Sequence, residues 1–308
     1  MITITVPASS ANLGPGFDCL GLALDLYAYF DVDISPDNDN HLSGFLSQYI
    51  NNENLFLKAY RRGWKAIVAA TGPDRPPYPL TVQFHSDVPI SRGLGSSMTM
   101  VAGGLMAASV FGSEETDKPL GQRRALTPAQ LFELSAKMEG HPDNAAPALF
   151  GGLTAALVTD DGPIYMPLPL SDKWQFTVFI PDFEVRTERA RSVLPDVYPR
   201  SVAAANSAHA LFLIKALESG DLATFKIAAN DLIHEPYRRR LIKDFDIIQK
   251  ITEEDTNGRL LISGSGSTCL LVSQQPLSED ARAAIEKRTD PSWKVVRVTP
   301  SMEGVTVK

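Results

Sequence analysis

Two rhythms of apolar residues divide this chain. Ile2, Ile4 and Val6 alternate with threonines, which predicts a strand, and a mixed apolar run over Leu22 to Ile34 predicts a second. From Asn54 to Ala70 the spacing turns helical, with Leu55, Ala59, Trp64 and Val68 apolar, and residues 71–77, rich in Pro and Gly, break it. A strand over Leu80 to Phe84 then leads through a glycine-rich loop into a helix reaching about Phe111, with Met98, Val101, Ala102 and Leu105 at helical spacing. Residues 112–124 read as a polar surface loop. Thr127 opens a helix with Pro128 at its first position, running to about Glu139. Residues 140–144 read as a turn, Ala145 to Leu149 as a short helix and Gly151 to Val158 as a strand. A tight turn at 160–163 follows. In the second half, strands are expected at 176–180, 260–262, 268–272 and 294–298, and helices at 201–217, 222–233 and 280–287. Strands and helices alternate, with some strands adjacent, which suggests an α+β fold in two layers. A division near residue 165 is expected, giving units 1–165 and 166–308.

Composition narrows the class without naming it. The 308 residues carry 44% hydrophobic and 21% charged residues, ordinary for a globular chain. The net charge of −7 argues against nucleic acid or an anionic membrane as main partner. No apolar run is long enough to span a membrane. No signal peptide is expected at the N-terminus, which lacks a basic stretch before an apolar core. The two cysteines, Cys19 and Cys269, form no metal or redox spacing and are expected as buried free thiols in a reducing cytoplasm.

The loop before the second helix carries the first chemical signal. Pro89-Ile-Ser-Arg-Gly-Leu-Gly-Ser-Ser-Met-Thr99 places two glycines and two serines in a turn that opens a helix. Free N–H groups and the positive end of the helix dipole converge there, which makes an anion site. No Gly-Lys-Ser/Thr occurs anywhere, so this is not a P-loop. Three other segments are rich in turn formers: Ser10 to Asp18, Glu139 to Asn144, and Ser263-Gly-Ser-Gly-Ser-Thr268.

Taken in order, these four strings resemble the GHMP kinases from end to end. The Ser10-Ala-Asn-Leu-Gly-Pro-Gly-Phe-Asp18 and His141-Pro-Asp-Asn-Ala-Ala-Pro-Ala148 strings are similar to those of the homoserine kinases within that family. The resemblance implies a two-domain fold. Its N-terminal domain would hold a left-handed β-α-β crossover, and its C-terminal domain would be ferredoxin-like. It also implies ATP and Mg2+, transfer of phosphate to the hydroxyl of L-homoserine in threonine biosynthesis, and a homodimer. Another small-molecule kinase of the family, or a non-catalytic ligand sensor on the same fold, are the alternatives.

The roles carried over are these. Asn12 and Asp18 would accept from the substrate ammonium, and His141, Asp143 and Asn144 would complete the acceptor site, with Asp143 on the hydroxyl as base or as positioner. Thr187, Arg191 and Arg238 match the carboxylate-binding positions; Arg239 and Arg240 crowd the last and read as a solvated face. Residues Pro89, Ile90, Ser91, Arg92, Gly93, Leu94, Gly95, Ser96, Ser97, Met98 and Thr99 would bind ATP. Asn54 would lie near the adenine, a place that helix capping explains equally well. Ser97 and Glu133 would hold Mg2+. Gly264, Ser265 and Gly266 would support the phosphate loop, where Ser267 stands in place of an expected proline. Asp143, Ser97, Glu133 and Arg191 are the expected catalytic set.

Overall fold

Alternation and helical spacing resolve into two sheets in the computed structural model, which describes residues 1–44, 51, 53–72, 75–290 and 292–308. Pro73 and Asp74 of the expected helix break lie outside the described residues. Among the described residues, the first sheet has seven strands. Its centre is the antiparallel pair β1 (Ile2–Ala11) and β2 (Leu20–Ile34). The later half of the long β2 pairs with β4 (Leu80–Ser86), and its first residues pair with β5 (Leu153–Thr159), which continues into the hairpin partner β6 (Gly162–Leu168). β3 (His41–Gly44) lies parallel to β4 on the sheet edge, and the connection between them carries α1 (Leu55–Thr71), a β-α-β unit. β11 (Thr306–Val307) closes the other edge against β1.

Helix α2 (Ser96–Phe111) is apolar on every side and lies buried beneath this sheet beside α1. Phe30, Phe56 and Phe84 join β2, α1 and β4, with ring centroids 5.1 to 5.7 Å apart. Such pairs contribute roughly 0.5–1.5 kcal/mol each beyond area burial. With its body fixed in the core, α2 presents only its first turn to the surface. α3 (Pro128–Glu139) starts with a Thr127/Gln130 capping box and stops at Gly140, and α4 (Ala145–Phe150) follows it.

The second sheet holds β7 (Gln175–Pro181), β8 (Arg259–Ile262), β9 (Cys269–Ser273) and β10 (Trp293–Val298) in the order β10-β7-β9-β8, every pair antiparallel. This is the 4-1-3-2 strand order of a ferredoxin-like unit. α5 (Thr187–Ser192), α6 (Arg200–Ser219), α7 (Leu222–Ala228), α8 (Glu235–Arg238) and α9 (Phe245–Thr256) precede β8, and α10 (Glu279–Arg288) links β9 to β10. Alternation decides the two faces. Cys269 and Leu271 of β9 meet α9 and α10, while Leu270 and Val272 join Phe176, Val178 and Leu213 in the core shared with the first sheet. The sheets change over in residues 169–174, and the division expected at 165 falls inside β6.

Three sequence expectations differ from the structure. The helix expected over 222–233 ends at Ala228, because the Asp231 carboxylate accepts from the N–H groups of Ile233, His234 and Glu235 and turns the chain into α8. The turn expected at 160–163 is the β5–β6 hairpin turn, but the strand β6 that follows it was not expected. Cys19 is exposed at the start of β2 rather than buried, while Cys269 is buried as expected.

Candidate active site

Six segments meet in one cleft of about 280 Å³. The loop between β1 and β2 brings Asn12 and Asp18, and the loop before α2 brings Ser91, Gly93, Gly95, Ser96 and Ser97. The α3–α4 turn brings Glu139, His141, Asp143 and Asn144. α5 brings Thr187 and Arg191, α8 brings Arg238, and the β8–β9 turn brings Gly264 and Ser265.

The loop before α2 is held at backbone-contact distance on both sides. Gly95 sits at φ +71°, and a Cβ there would lie 2.1 Å from Ser9 Oγ; one on Gly93 would lie 2.2 Å from the Ser263 carbonyl oxygen. Only glycine fits both demands. Ser263 Oγ donates to the Gly93 carbonyl, and Ser9 N–H donates to the Leu94 carbonyl. The first turn of α2 therefore faces the cleft with free N–H groups, a phosphate-binding geometry. Leu94 and Met98 are buried in the core, and Thr99 Oγ1 donates to the Ser96 carbonyl. Pro89 and Ile90 lead in from β4 outside the cleft lining. Arg92 also points away: its guanidinium donates to the carbonyls of Ile90, Pro181 and Asp182. Asn54 lies outside the cleft and caps α1, accepting from Phe56 N–H at 2.8 Å. Gly266 stands behind Gly264 and Ser265 against Ile242.

The structure does not bring together the two residues expected to hold the metal. Glu133 stands on the outer face of α3, ion-paired with Lys137 and 45% exposed, outside the cleft. The acid that meets Ser97 is Glu139, whose Oε2 accepts from Ser97 Oγ at 3.0 Å. Burial pushes the Glu139 carboxyl above its ordinary value and Asp143 adds to this, against the pull of His141 and the serine. A carboxylate and a hydroxyl are hard oxygen donors, the set that suits Mg2+. A dication would also offset the burial of Glu139. The residues present thus fit a magnesium ion, which Ser97 and Glu139 would hold. One sequence signal marks Glu139: it is an acid at the C-terminus of a helix, where the dipole disfavours it.

At the other end of the cleft, charges are balanced within the protein. Arg191 forks onto Asp18 with bonds of 2.8 and 3.0 Å. Asp18 sits at φ +55°, and its N–H donates to Asn12 Oδ1, while Asn12 Nδ2 donates to the Gly264 carbonyl. Asn12 therefore ties the loop that aims Asp18 to the turn that supports the phosphate loop. Acceptor atoms of Asp18, His141 and Asp143 lie within 4.8 Å of one another. Asp143 is buried, and its Oδ1 takes His141 Nδ1 at 2.5 Å and Asn144 N–H at 2.9 Å. Asn144 Oδ1 in turn accepts from Ser9 Oγ at 2.7 Å. Thr187 Oγ1 approaches Ser265 Oγ at 3.5 Å.

Arg238 is 2% exposed and donates to the carbonyls of Ala190 and Gly264. Burial, then the charge of Arg191, pushes its guanidinium down to about 10. Arg239 and Arg240 are exposed, as expected of a solvated face.

Burial alone would lower His141, but its bond and charge attraction to Asp143, with Glu139 adding, hold it above the ordinary histidine value. The stability this contributes is fully present below about pH 6.5 and is lost as the pH rises through the raised value. The unfolding free energy should therefore decline above that pH, and His141→Gln should reduce the decline. Denaturant unfolding at stepped pH checks this; an unchanged slope contradicts it.

Comparison with known proteins gives the same answer from end to end. Residues 54–152 match the family model for the GHMP kinases N terminal domain, and residues 213–290 match GHMP kinases C terminal. Homoserine kinase from Microchaete diplosiphon is 34% identical over 99% of this chain and 94% of its own length. That from Nostoc punctiforme is 35% identical over 99% and 95%. Among solved structures, homoserine kinase from Cytophaga hutchinsonii superposes with a TM-score of 0.80 at 23% identity, covering 100% of this chain and 97% of that one. Mevalonate kinase from Methanococcus jannaschii gives 0.69 at 15% identity, over 97% and 98%. At such identities these two share the fold alone. The full-length relatives and both domain matches show that the chain belongs to the GHMP kinase family.

Proposed function

We propose that this chain is a homoserine kinase, transferring the γ-phosphoryl group of ATP to the side-chain hydroxyl of L-homoserine to give ADP and O-phospho-L-homoserine. This is a step of threonine biosynthesis, and we place it in the cytoplasm. Within this reading, Mg2+ neutralises charge on the phosphates when bound at Ser97 and Glu139. The observation that carries the acceptor assignment is the Asp18–Arg191 pair in the cleft shared with the first turn of α2. An amino acid presents an ammonium and a carboxylate on one carbon. Asp18 with its acidic neighbours suits the first and Arg191 the second, so a zwitterion can replace the internal pair without leaving either charge alone.

The chain's own groups then divide the work. N–H groups at the start of α2 hold phosphate oxygens, and Arg238 backs Arg191 on the carboxylate side. Asp143 receives the hydroxyl. Its Oδ1 is occupied by His141 and the Asn144 N–H, which leaves Oδ2 to accept from the substrate and favours positioning over proton removal. Phosphoryl transfer through a loose transition state requires little proton removal before the bond to ADP breaks. Asp143→Asn, which keeps shape and a hydrogen-bonding oxygen, should therefore reduce single-turnover transfer by only about tenfold, with a raised KM. A drop beyond about a thousandfold, with the pH dependence abolished, would establish an essential base. ADP release with L-homoserine, mevalonate, galactose and no acceptor tests the function itself. Homoserine should dominate; equal turnover of the others contradicts the reading.

A further inference from the structure

The ring of Phe17 lies outside the cleft lining, yet three groups of the acceptor side converge on it. The guanidinium carbon of Arg238 lies 5.0 Å from the ring centroid and that of Arg191 lies 5.6 Å away. The His234 imidazole stacks on it at 5.2 Å with 26° between the planes. His234 is itself fixed. Its Nε2 donates to the Gly14 carbonyl at 2.9 Å, so Nδ1 is the acceptor that faces Arg238 Nη1 at 3.5 Å.

Two guanidinium groups held near each other repel, and Arg191 is one cause of the depressed value at Arg238. A second carboxylate between them would cancel the charge that a ligand needs. An aromatic face attracts both cations and leaves both charged. Phe17 also directly precedes Asp18, so the residue that gathers the arginines and the acid that balances Arg191 sit on one loop.

We propose that Phe17 is a positioning residue that holds Arg191 and Arg238 together through its aromatic face and so sets the preference for an acceptor bearing a carboxylate. The inference rests on the acceptor reading above. It says that a residue outside the cleft determines substrate choice through the electron density of its ring, not through its bulk.

The test compares Phe17→Leu, Phe17→Tyr and 3,4,5-trifluorophenylalanine incorporated at position 17. The last keeps the shape and withdraws charge from the ring face. Each is assayed with L-homoserine and with 3-amino-1-propanol, which is homoserine without its carboxylate. Phe17→Leu should raise the KM for homoserine by about tenfold, the scale of losing two such contacts. Its kcat and its KM for ATP should stay within about twofold of the parent. The trifluoro variant should move the homoserine KM the same way, and Phe17→Tyr should stay near the parent. For 3-amino-1-propanol, kcat/KM should be unchanged in all three. Equal losses with both acceptors, or a trifluoro variant that behaves as the parent, would reduce Phe17 to packing and overturn the proposal. A parent enzyme that does not turn over homoserine would overturn the acceptor reading and the proposal with it, a result distinct from either.

Discussion

Glu139→Gln is expected to lower kcat by about 10²–10³-fold, the usual loss when one preorganised stabiliser of transition-state charge is removed. Glu133→Gln is expected to stay within about twofold of the parent. The two acids lie on one helix, and only Glu139 reaches Ser97. Glutamine keeps an oxygen in place but removes the negative charge that binds a dication. The deficit should therefore shrink as magnesium is raised, and Ser97→Ala should show a smaller loss of the same kind. Steady-state rates over a magnesium titration check this. If Glu133→Gln loses activity and Glu139→Gln does not, the metal site is wrongly placed.

Arg191→Met should reduce kcat/KM for homoserine by at least about thirtyfold, mostly through KM. Truncating one partner of a hydrogen-bonded charge pair costs roughly 2–5 kcal/mol when the pair is buried. Arg191 and Asp18 are 39% and 34% exposed, so the low end applies. Removing Arg191 acts twice: the substrate carboxylate loses its fork, and Asp18, beside Asp143, loses the guanidinium that forks onto it. KM for ATP should change little, because the phosphate-binding turn of α2 gains nothing from Arg191. Initial rates with each substrate varied in turn separate the two effects. Equal losses for ATP and homoserine would point to a collapsed cleft instead of a lost ligand.

The sequence revealed the scaffold where local physics is strong. α1 and α3 were legible from apolar spacing and proline, and β1, β2 and β9 from alternation or apolar runs. β3, α5, α8 and the longer α9 were not. β3 has four residues with little burial, and α5 and α8 are one or two turns whose shape comes from tertiary contacts such as Arg238 on Ala190. The site followed the same division. The string from Pro89 to Thr99 marked the turn that opens α2 onto the cleft, because glycine and helix opening are local signals. Arg92 shares that string, yet its partners come from Pro181 and Asp182, which no spacing could reveal. Glu133 is the acid that the family resemblance implies. In the structure Glu139 is the acid that meets Ser97, because the helix ends where its last residue faces that serine. Cys19 was read as buried from apolar neighbours, although the turn after Asp18 leaves it at the surface.

The central proposal is that one cleft binds both charged ends of an amino acid and phosphorylates its hydroxyl. The decisive measurement is kcat/KM of the parent enzyme, with ATP and magnesium saturating, for L-homoserine, for 3-amino-1-propanol and for 4-hydroxybutanoate, which lacks the ammonium. Homoserine should exceed each truncated acceptor by at least about thirtyfold, the low end of the 2–5 kcal/mol lost with a charged partner. Either truncated alcohol turning over as well as homoserine would contradict the account.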